Sequence, residues 1–395
     1  MKIVFFDFIR HFGGASQLAL DVNNRLSAGH EVEVIDVYGV CREYIQAHVE
    51  AELKIHVLLT DVKEVYIGYK NRKFLRLWRG LCQLPLFWLL ATKLRKKVME
   101  INPDVIWTTS NTGLLLLGLS LGFCRYPLVR YVCTCLEANS IPSWGRWVMK
   151  NFATLLMAIS TETARQVKAV GVAEDKIKVV FDTIDFEDTI ARSKLKLQRA
   201  LPGMERRPCI VLAASLSEAK GQHTAIKALF HLKNRGLNPT LWIVGDRYSD
   251  DQSYVRYLHN LVTQFELCRN IHFLGWRGDV PAIMRESDIV ILPTYTEGFG
   301  HVILEGMLLR RPIVATYVGG IKDSIKNGVN GLTFPVDDDR ALADCIERII
   351  SDEKLADSLV QNGYKTITEN FNPKIHTKRV ADALATVVGK RYHRG

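Results

Sequence analysis

At 395 residues the chain is too long for one ordinary hydrophobic core, and it predicts two or three domains. Its 48% hydrophobic and 24% charged content is that of a soluble globular protein, and its formal net charge is +10. The eight cysteines are spread through apolar segments with only Cys133 and Cys135 as a Cys-X-Cys pair, so no zinc site is expected; reduced, mostly buried thiols and a cytoplasmic setting are.

The first apolar run, Met1 to Phe6, reads as a strand and not as a secretory signal, because Asp7 and Arg10 interrupt it. Lys2 to Phe6 as strand, Gly13-Gly14 as tight loop, Ser16 to Ser27 as helix and Glu31 to Val37 as strand make a βαβ opening. In such a unit Gly13-Gly14 either brings backbone amides close to a ligand at the strand's carboxyl edge or is a plain turn. From Val65 to Met99 there are nine Lys or Arg and no acid, interleaved with Tyr66, Tyr69, Phe74, Trp78, Phe87 and Trp88. Cations beside aromatics suit an anionic lipid surface, with Lys70, Arg72, Lys73, Arg76 and Arg79 as the contacts. The same pattern also fits a helical pair that packs its aromatics inward and solvates its cations, and no nucleic-acid motif accompanies it. Leu81 to Leu90 and Leu114 to Cys124 fall short of the roughly 18 apolar residues that span a bilayer.

Further strands are expected at Val105 to Thr108, Leu128 to Val132, Leu156 to Ile159 and Lys178 to Phe181. Periodicity weakens and charge rises over about 182–207, which marks a linker between a first domain over 1–190 and a second over 208–373. Strands restart at Cys209 to Ala214 and continue at Leu241 to Gly245, Ile271 to Leu274, Asp288 to Leu292 and Pro312 to Ala315. Two doubly wound α/β domains facing across a cleft are the expected architecture, with the cleft as the site.

The most informative segment is Glu297-Gly-Phe-Gly-His-Val-Ile-Leu-Glu305, which follows a β-branched strand closed by Pro293. Gly298 and Gly300 permit a sharp turn, and the apolar spacing beyond predicts a helix opening near Gly300. The unpaired first amides of that helix, at Gly300, His301 and Val302, are suited to hold a phosphate. Glu297 stands at the mouth of the turn and Glu305 more than one helical turn further in. A carboxylate there is a natural clamp for a vicinal diol, at roughly 1.5–3 kcal/mol per charged hydrogen bond. The plainer reading is a helix-entry acid and a solvated helix residue. Asp337-Asp-Asp339 precedes an apolar helical pattern and is read as a helix cap, not as a metal site.

The second half resembles the retaining glycosyltransferases of family 4, also called group 1, of the GT-B fold. The motifs are Lys220-Gly221, Gly245-Asp246, Phe273-Leu-Gly275, Glu297 to Glu305, Gly319-Gly320 and Asn327 to Gly331 with Phe334-Pro335. They match strongly over about 210–375. The first half matches through Gly13-Gly14, Gly29 to Val32, Pro103 to Val105 and Ile159-Ser160. The resemblance implies two Rossmann-like domains, with a final helix over 374–395 packing back on the first.

It also implies transfer of a sugar from a nucleoside-diphosphate sugar to a lipid-linked or polysaccharide acceptor, with retention and without metal or other cofactor; together with the basic aromatic segment, a peripheral protein at the inner membrane face is expected. Lys220 would stabilise the leaving diphosphate. Glu297 would bind the donor sugar with the amides of Gly298, Phe299 and Gly300, and Glu305 the ribose. Arg277 would lie at the base-binding loop, or be a solvated loop arginine, and Gly319-Gly320 would be packing turns. Three positions depart from the family. Ser215 stands where a second diphosphate cation, an arginine, is common. The segment from Tyr131 to Glu137 lacks a frequent histidine, so that either Thr134 or Glu137 would stand in or the position lies elsewhere. Asp182-Thr183 replaces a frequent Asn-Gly pair. These departures admit a nucleotide-sugar-binding protein without turnover, and the fold admits a nucleotide-sugar epimerase.

Overall fold

The computed structural model describes residues 1–9, 14–59, 73–122, 126–133, 141–246 and 252–388, with backbone alone at helix positions 14–15 and 73–84. The chain divides into two compact units. One comprises Met1–Ile159, Thr163–Val180 and the chain from Thr377; the other comprises Ser160–Glu162 and Phe181–His376.

The first unit is built on seven strands: β1 (Lys2–Asp7), β2 (Glu31–Asp36), β3 (Lys54–Val57), β4 (Val105–Thr108), β5 (Leu128–Val132), β6 (Leu155–Ala158) and β7 (Ile177–Val179). They run parallel in the order β3-β2-β1-β4-β5-β6-β7. Strands buried on both faces need apolar residues at successive positions, which is why Ile3 to Phe6 and Val105 to Trp107 are wholly buried without alternation. At the carboxyl end of β1 the buried Asp7 accepts from the amides of Phe8 and Thr109 and the hydroxyl of Ser110, tying β1 to the end of β4. The helix Gly14–Ser27 follows β1, as the βαβ reading requires.

The basic aromatic segment contributes one helix, Lys73–Ile101, with Pro85 inside it, where a helical pair was the alternative to a lipid contact. Leu90, Leu94, Val98 and Ile101 form its buried stripe, at the spacing of one helix face. Trp88 is 71% exposed and Leu89 is also exposed. No helix among the described residues is long and apolar enough to cross a membrane.

The second unit has six parallel strands: β8 (Cys209–Ala213), β9 (Thr240–Val244), β10 (Ile271–Gly275), β11 (Ile289–Leu292), β12 (Ile313–Thr316) and β13 (Leu332–Phe334). Their order is β10-β9-β8-β11-β12-β13, so the direction of winding reverses between β8 and β11. The crevice at the carboxyl ends of two such neighbours is where an open parallel sheet places a ligand. The segment over 182–207, read from sequence as a linker, is folded into this unit. Its helix Phe186–Ser193 packs on Val280–Glu286, and Trp242 donates to the carbonyl of Pro202 at 2.8 Å.

Each acid of the Asp337 run has its own partner. Asp338 caps the helix Asp339–Ser351 by accepting from the Ala341 amide at 2.9 Å, Asp339 meets His231 at 2.8 Å, and Asp337 lies beside Thr224 and His223. Asp338→Ala is expected to lower stability by about 1 kcal/mol, the usual worth of such a cap. Urea unfolding measures it, and an unchanged midpoint would remove the capping role.

Candidate functional site

The site of the second unit is assembled at the reversal point. After β8, Ser215 is half-buried and its carbonyl accepts from Gln222. The chain then turns through Glu218–Lys220 into the helix Gln222–Asn234. Ala219 is stitched to the end of β11, its carbonyl accepting from the Tyr295 amide at 2.8 Å and the Thr294 hydroxyl at 2.9 Å. That stitch sets where Lys220 stands. After β11, Pro293 ends the strand and Glu297 follows. Lys220 Nζ lies 2.7 Å from Glu297 Oε2, with both side chains partly exposed, at 26% and 18%.

The turn beyond Glu297 is held from behind. The Gly320 amide donates to the Glu297 carbonyl, and a Cβ at Gly319 would run into that same oxygen. Gly319-Gly320 is therefore a close packing turn that leaves the other side of the loop open. The Gly298 amide donates to Glu297 Oε1 at 3.1 Å. Phe299 is buried and packs with Phe181 and Phe371, so its side chain fixes the loop while only its backbone is left for a ligand. Gly300, in the left-handed region with φ of 87°, opens the helix His301–Leu308 and supplies no side-chain cap. The amides of His301 and Val302 begin that helix, at the positive end of its dipole.

Glu305 is half-buried one turn further in, and its carboxylate has no hydrogen-bond partner among the described residues. Burial raises its pKa, against the pull of His301 and Arg192 in the other direction. An unspent carboxylate at that depth is a strong acceptor for a pair of hydroxyls.

Arg277 is corrected in one respect. It is no solvated loop arginine: it and Asp279 are each 3% exposed at the side chain and joined by a two-pronged pair, both bonds 2.7 Å. The pair anchors the preceding segment through the Arg199 carbonyl and the Gln198 amide. The guanidinium is thus committed to Asp279.

Within the second unit the structure brings Lys220 against Glu297, runs the turn Gly298 to Gly300 into the helix that carries His301, Val302 and Glu305, and places Ser215 after β8, five residues before Lys220. Gly14 belongs to the first unit, as the first residue of its helix, and Gly13, Thr134 and Glu137 lie outside the described residues. Among the described residues no group of three or more His, Cys, Asp or Glu is placed to hold a metal ion.

The sequence reading did not pair Asp182 with the site. Its buried carboxylate accepts from His301 Nε2 at 2.8 Å, across 119 residues of chain. The departure at Asp182-Thr183 was the available signal.

A profile of the group 1 glycosyl transferases matches residues 194–366, and one of glycosyltransferase family 4 matches residues 12–188. The chain belongs to this family of glycosyltransferases. It is 28% identical over 179 residues to the lipopolysaccharide core biosynthesis glycosyltransferase LpsE of Rhizobium meliloti, covering 45% of this chain and 50% of that one. With the alpha-D-kanosaminyltransferase of Streptomyces kanamyceticus it is 27% identical over 231 residues, covering 57% and 58%. The chain thus spans about half the length of the curated relatives it matches. Among solved structures, Anabaena HepE in complex with UDP superposes with a TM-score of 0.80 over 98% of this chain and 100% of that one, at 24% identity. That likeness is one of fold, and the fold is GT-B.

In this chain the buried Arg277–Asp279 pair makes a test of the site's frame. Asp279→Ala leaves a buried guanidinium without its partner and is expected to cost about 3–5 kcal/mol of stability. Chemical denaturation checks it, and a loss within the scatter of surface substitutions would show the pair to be dispensable.

Proposed function

We propose that the protein transfers a sugar from a nucleoside-diphosphate sugar to a lipid-linked or polysaccharide acceptor, with retention of anomeric configuration and with no resident metal. The observation that carries this reading is one crevice holding an open helix start, an exchangeable Lys220–Glu297 pair and the unpartnered Glu305. In the free protein Lys220 and Glu297 satisfy each other. A bound donor offers each a better match, its diphosphate to the ammonium and its sugar hydroxyls to the carboxylate. Glu305 then takes the ribose hydroxyls, and the amides of His301 and Val302 face the phosphates.

The acceptor oxygen forms its bond to the anomeric carbon as the carbon–phosphate-oxygen bond breaks. The electron pair leaves on the diphosphate, which takes up the acceptor's proton. Lys220 and the helix amides stabilise that growing negative charge, and no enzyme nucleophile is required. The relatives support the class of substrates: HepE has been solved with UDP and with UDP-glucose, and LpsE is named for lipopolysaccharide core biosynthesis.

Contact with the cytoplasmic face of an anionic membrane belongs to the same reading. Lys70 and Arg72 lie outside the described residues, and Lys73, Arg76 and Arg79 are described by backbone alone. Its support is the rest of that helix, where the exposed Trp88 and Leu89 share the surface with exposed Lys93, Arg95 and Lys96.

Two measurements bear on the proposal. With a panel of sugar nucleotides and a cell lipid extract, the wild type should release nucleoside diphosphate. Lys220→Ala should do so ~10²–10³-fold more slowly; near-normal turnover would sink the lysine's role. Donor binding without any release would favour a protein that has lost turnover, and altered donor without acceptor would favour an epimerase. In vesicle sedimentation, Trp88→Ser with Leu89→Ser, and separately Gln at Lys73, Arg76 and Arg79, should release the protein from anionic vesicles while donor binding persists. Unchanged sedimentation would end the lipid-surface reading.

A further inference from the structure

We propose that His301, held as a cation by the buried Asp182 carboxylate, is a second positive charge of the diphosphate site, and that Asp182 is a positioning residue for donor binding. This rests on the donor site proposed above.

Asp182 is 3% exposed, and a carboxylate so buried requires a compensating charge. One oxygen accepts from the Thr183 amide at 2.8 Å, and the other meets His301 Nε2 at 2.8 Å. Burial works against charge on both groups, yet the interaction overcomes it. Asp182 is held below the usual carboxylate range, and the His301 pKa is pushed up to about 9 by the charge and hydrogen bond of Asp182, with Glu305 and Glu297 adding to it. The imidazole is therefore protonated throughout the neutral range.

The ring is not closed in on its other side. The His301 side chain is 43% exposed, and Nδ1 has no hydrogen-bond partner among the described residues. An imidazolium carries a proton on Nδ1, so a charged donor is available there. Its place is the first residue of the helix His301–Leu308, where a cation opposes the helix dipole. His301 compensates Asp182, and an anion arriving at the helix start would offset the unfavourable meeting of that cation with the dipole.

The remaining charges leave that role to it. Lys220 is matched by Glu297, and Ser215 supplies a hydroxyl without charge. The other charges that act here are His301, Arg192 and Asp188 on Glu305, and His376 on Asp182. A diphosphate entering this crevice thus meets Lys220, released from Glu297, and the His301 imidazolium above the open amides.

The sign of the pH dependence follows. A raised pKa means that the charge, and the binding it supports, is present at neutral pH and is lost as pH rises through about 9. In Asp182→Asn the imidazole returns toward its ordinary value of about 6.5, and the loss moves to lower pH by the same amount.

The test is calorimetric titration of the full chain with UDP, GDP and ADP between pH 7 and 9.5, on wild type, His301→Gln, Asp182→Asn, and His301→Gln combined with Ser215→Arg. Starting at pH 7 keeps the nucleotide's own phosphate ionisation largely complete. The nucleoside diphosphate that binds wild type best should bind His301→Gln and Asp182→Asn about tenfold more weakly at pH 7.5, the scale of one charge-assisted contact. The gap should narrow by pH 9.5, half a unit above the His301 pKa of about 9, and Ser215→Arg should restore most of the affinity lost in His301→Gln. Wild-type affinity in a folded His301→Gln at pH 7.5, or identical pH profiles for wild type and Asp182→Asn, overturns the inference and leaves the donor site standing. Should either variant fail to fold, the wild-type profile decides, since affinity unchanged from pH 7 to 9.5 overturns the inference equally. Absence of binding by every nucleoside diphosphate to wild type overturns the donor reading itself, and the charge assignment with it.

Discussion

The second unit depends on the parallel pairing of β8 with β11, Ile210 opposite Ile289 and Val211 opposite Val290. These are the neighbours between which the sheet reverses its winding, so the two chains leave their carboxyl ends in different directions and open a crevice between them. Lys220 follows one strand and Glu297 the other, and the Ala219 stitch to Thr294 and Tyr295 closes the remaining freedom. Two residues 77 positions apart thereby stand 2.7 Å from each other.

Charge balance is the second theme of this crevice. Lys220 and Glu297 neutralise one another across a contact that water reaches, so either can be exchanged for a ligand group at modest cost. Asp182 and His301 form the opposite kind of pair, in which the acid is buried and the base is half in solvent. The buried member fixes the charge state and the exposed member presents it. Glu305 is left with unspent acceptors, and burial makes it the carboxylate most in need of donors. Arg277, by contrast, is spent on Asp279 and serves the frame.

Much of the fold could be read from sequence because parallel strands buried on both faces write themselves as short runs of β-branched and aliphatic residues. The strands at Val105–Thr108 and Leu128–Val132 fall where the pattern puts them, and most of the others within a residue or two. β3 and β13 escaped it. Each is the outermost strand of its sheet and only a few residues long, and Lys54-Ile-His-Val57 is largely half-buried or exposed, so neither carries the apolar run that marks a central strand. The helix from Lys73 was blurred by Pro85, which interrupts a helical pattern in sequence without ending the helix here.

In the site, the glycines and carboxylates of Glu297 to Glu305 were legible because a strand, a left-handed turn and a helix start each demand particular residue types at fixed spacing. By itself the sequence determined the two α/β halves, the motif loops and the identity of Lys220, Glu297 and Glu305 as the residues to watch. Only the tertiary structure decided what those side chains touch. It paired Lys220 with Glu297, withdrew Arg277 into an ion pair, turned Phe299 inward, and joined Asp182 to His301. The physical reason is range. Backbone conformation is written in neighbouring residues, whereas a charge finds its partner through the packing of strands that lie far apart in the chain.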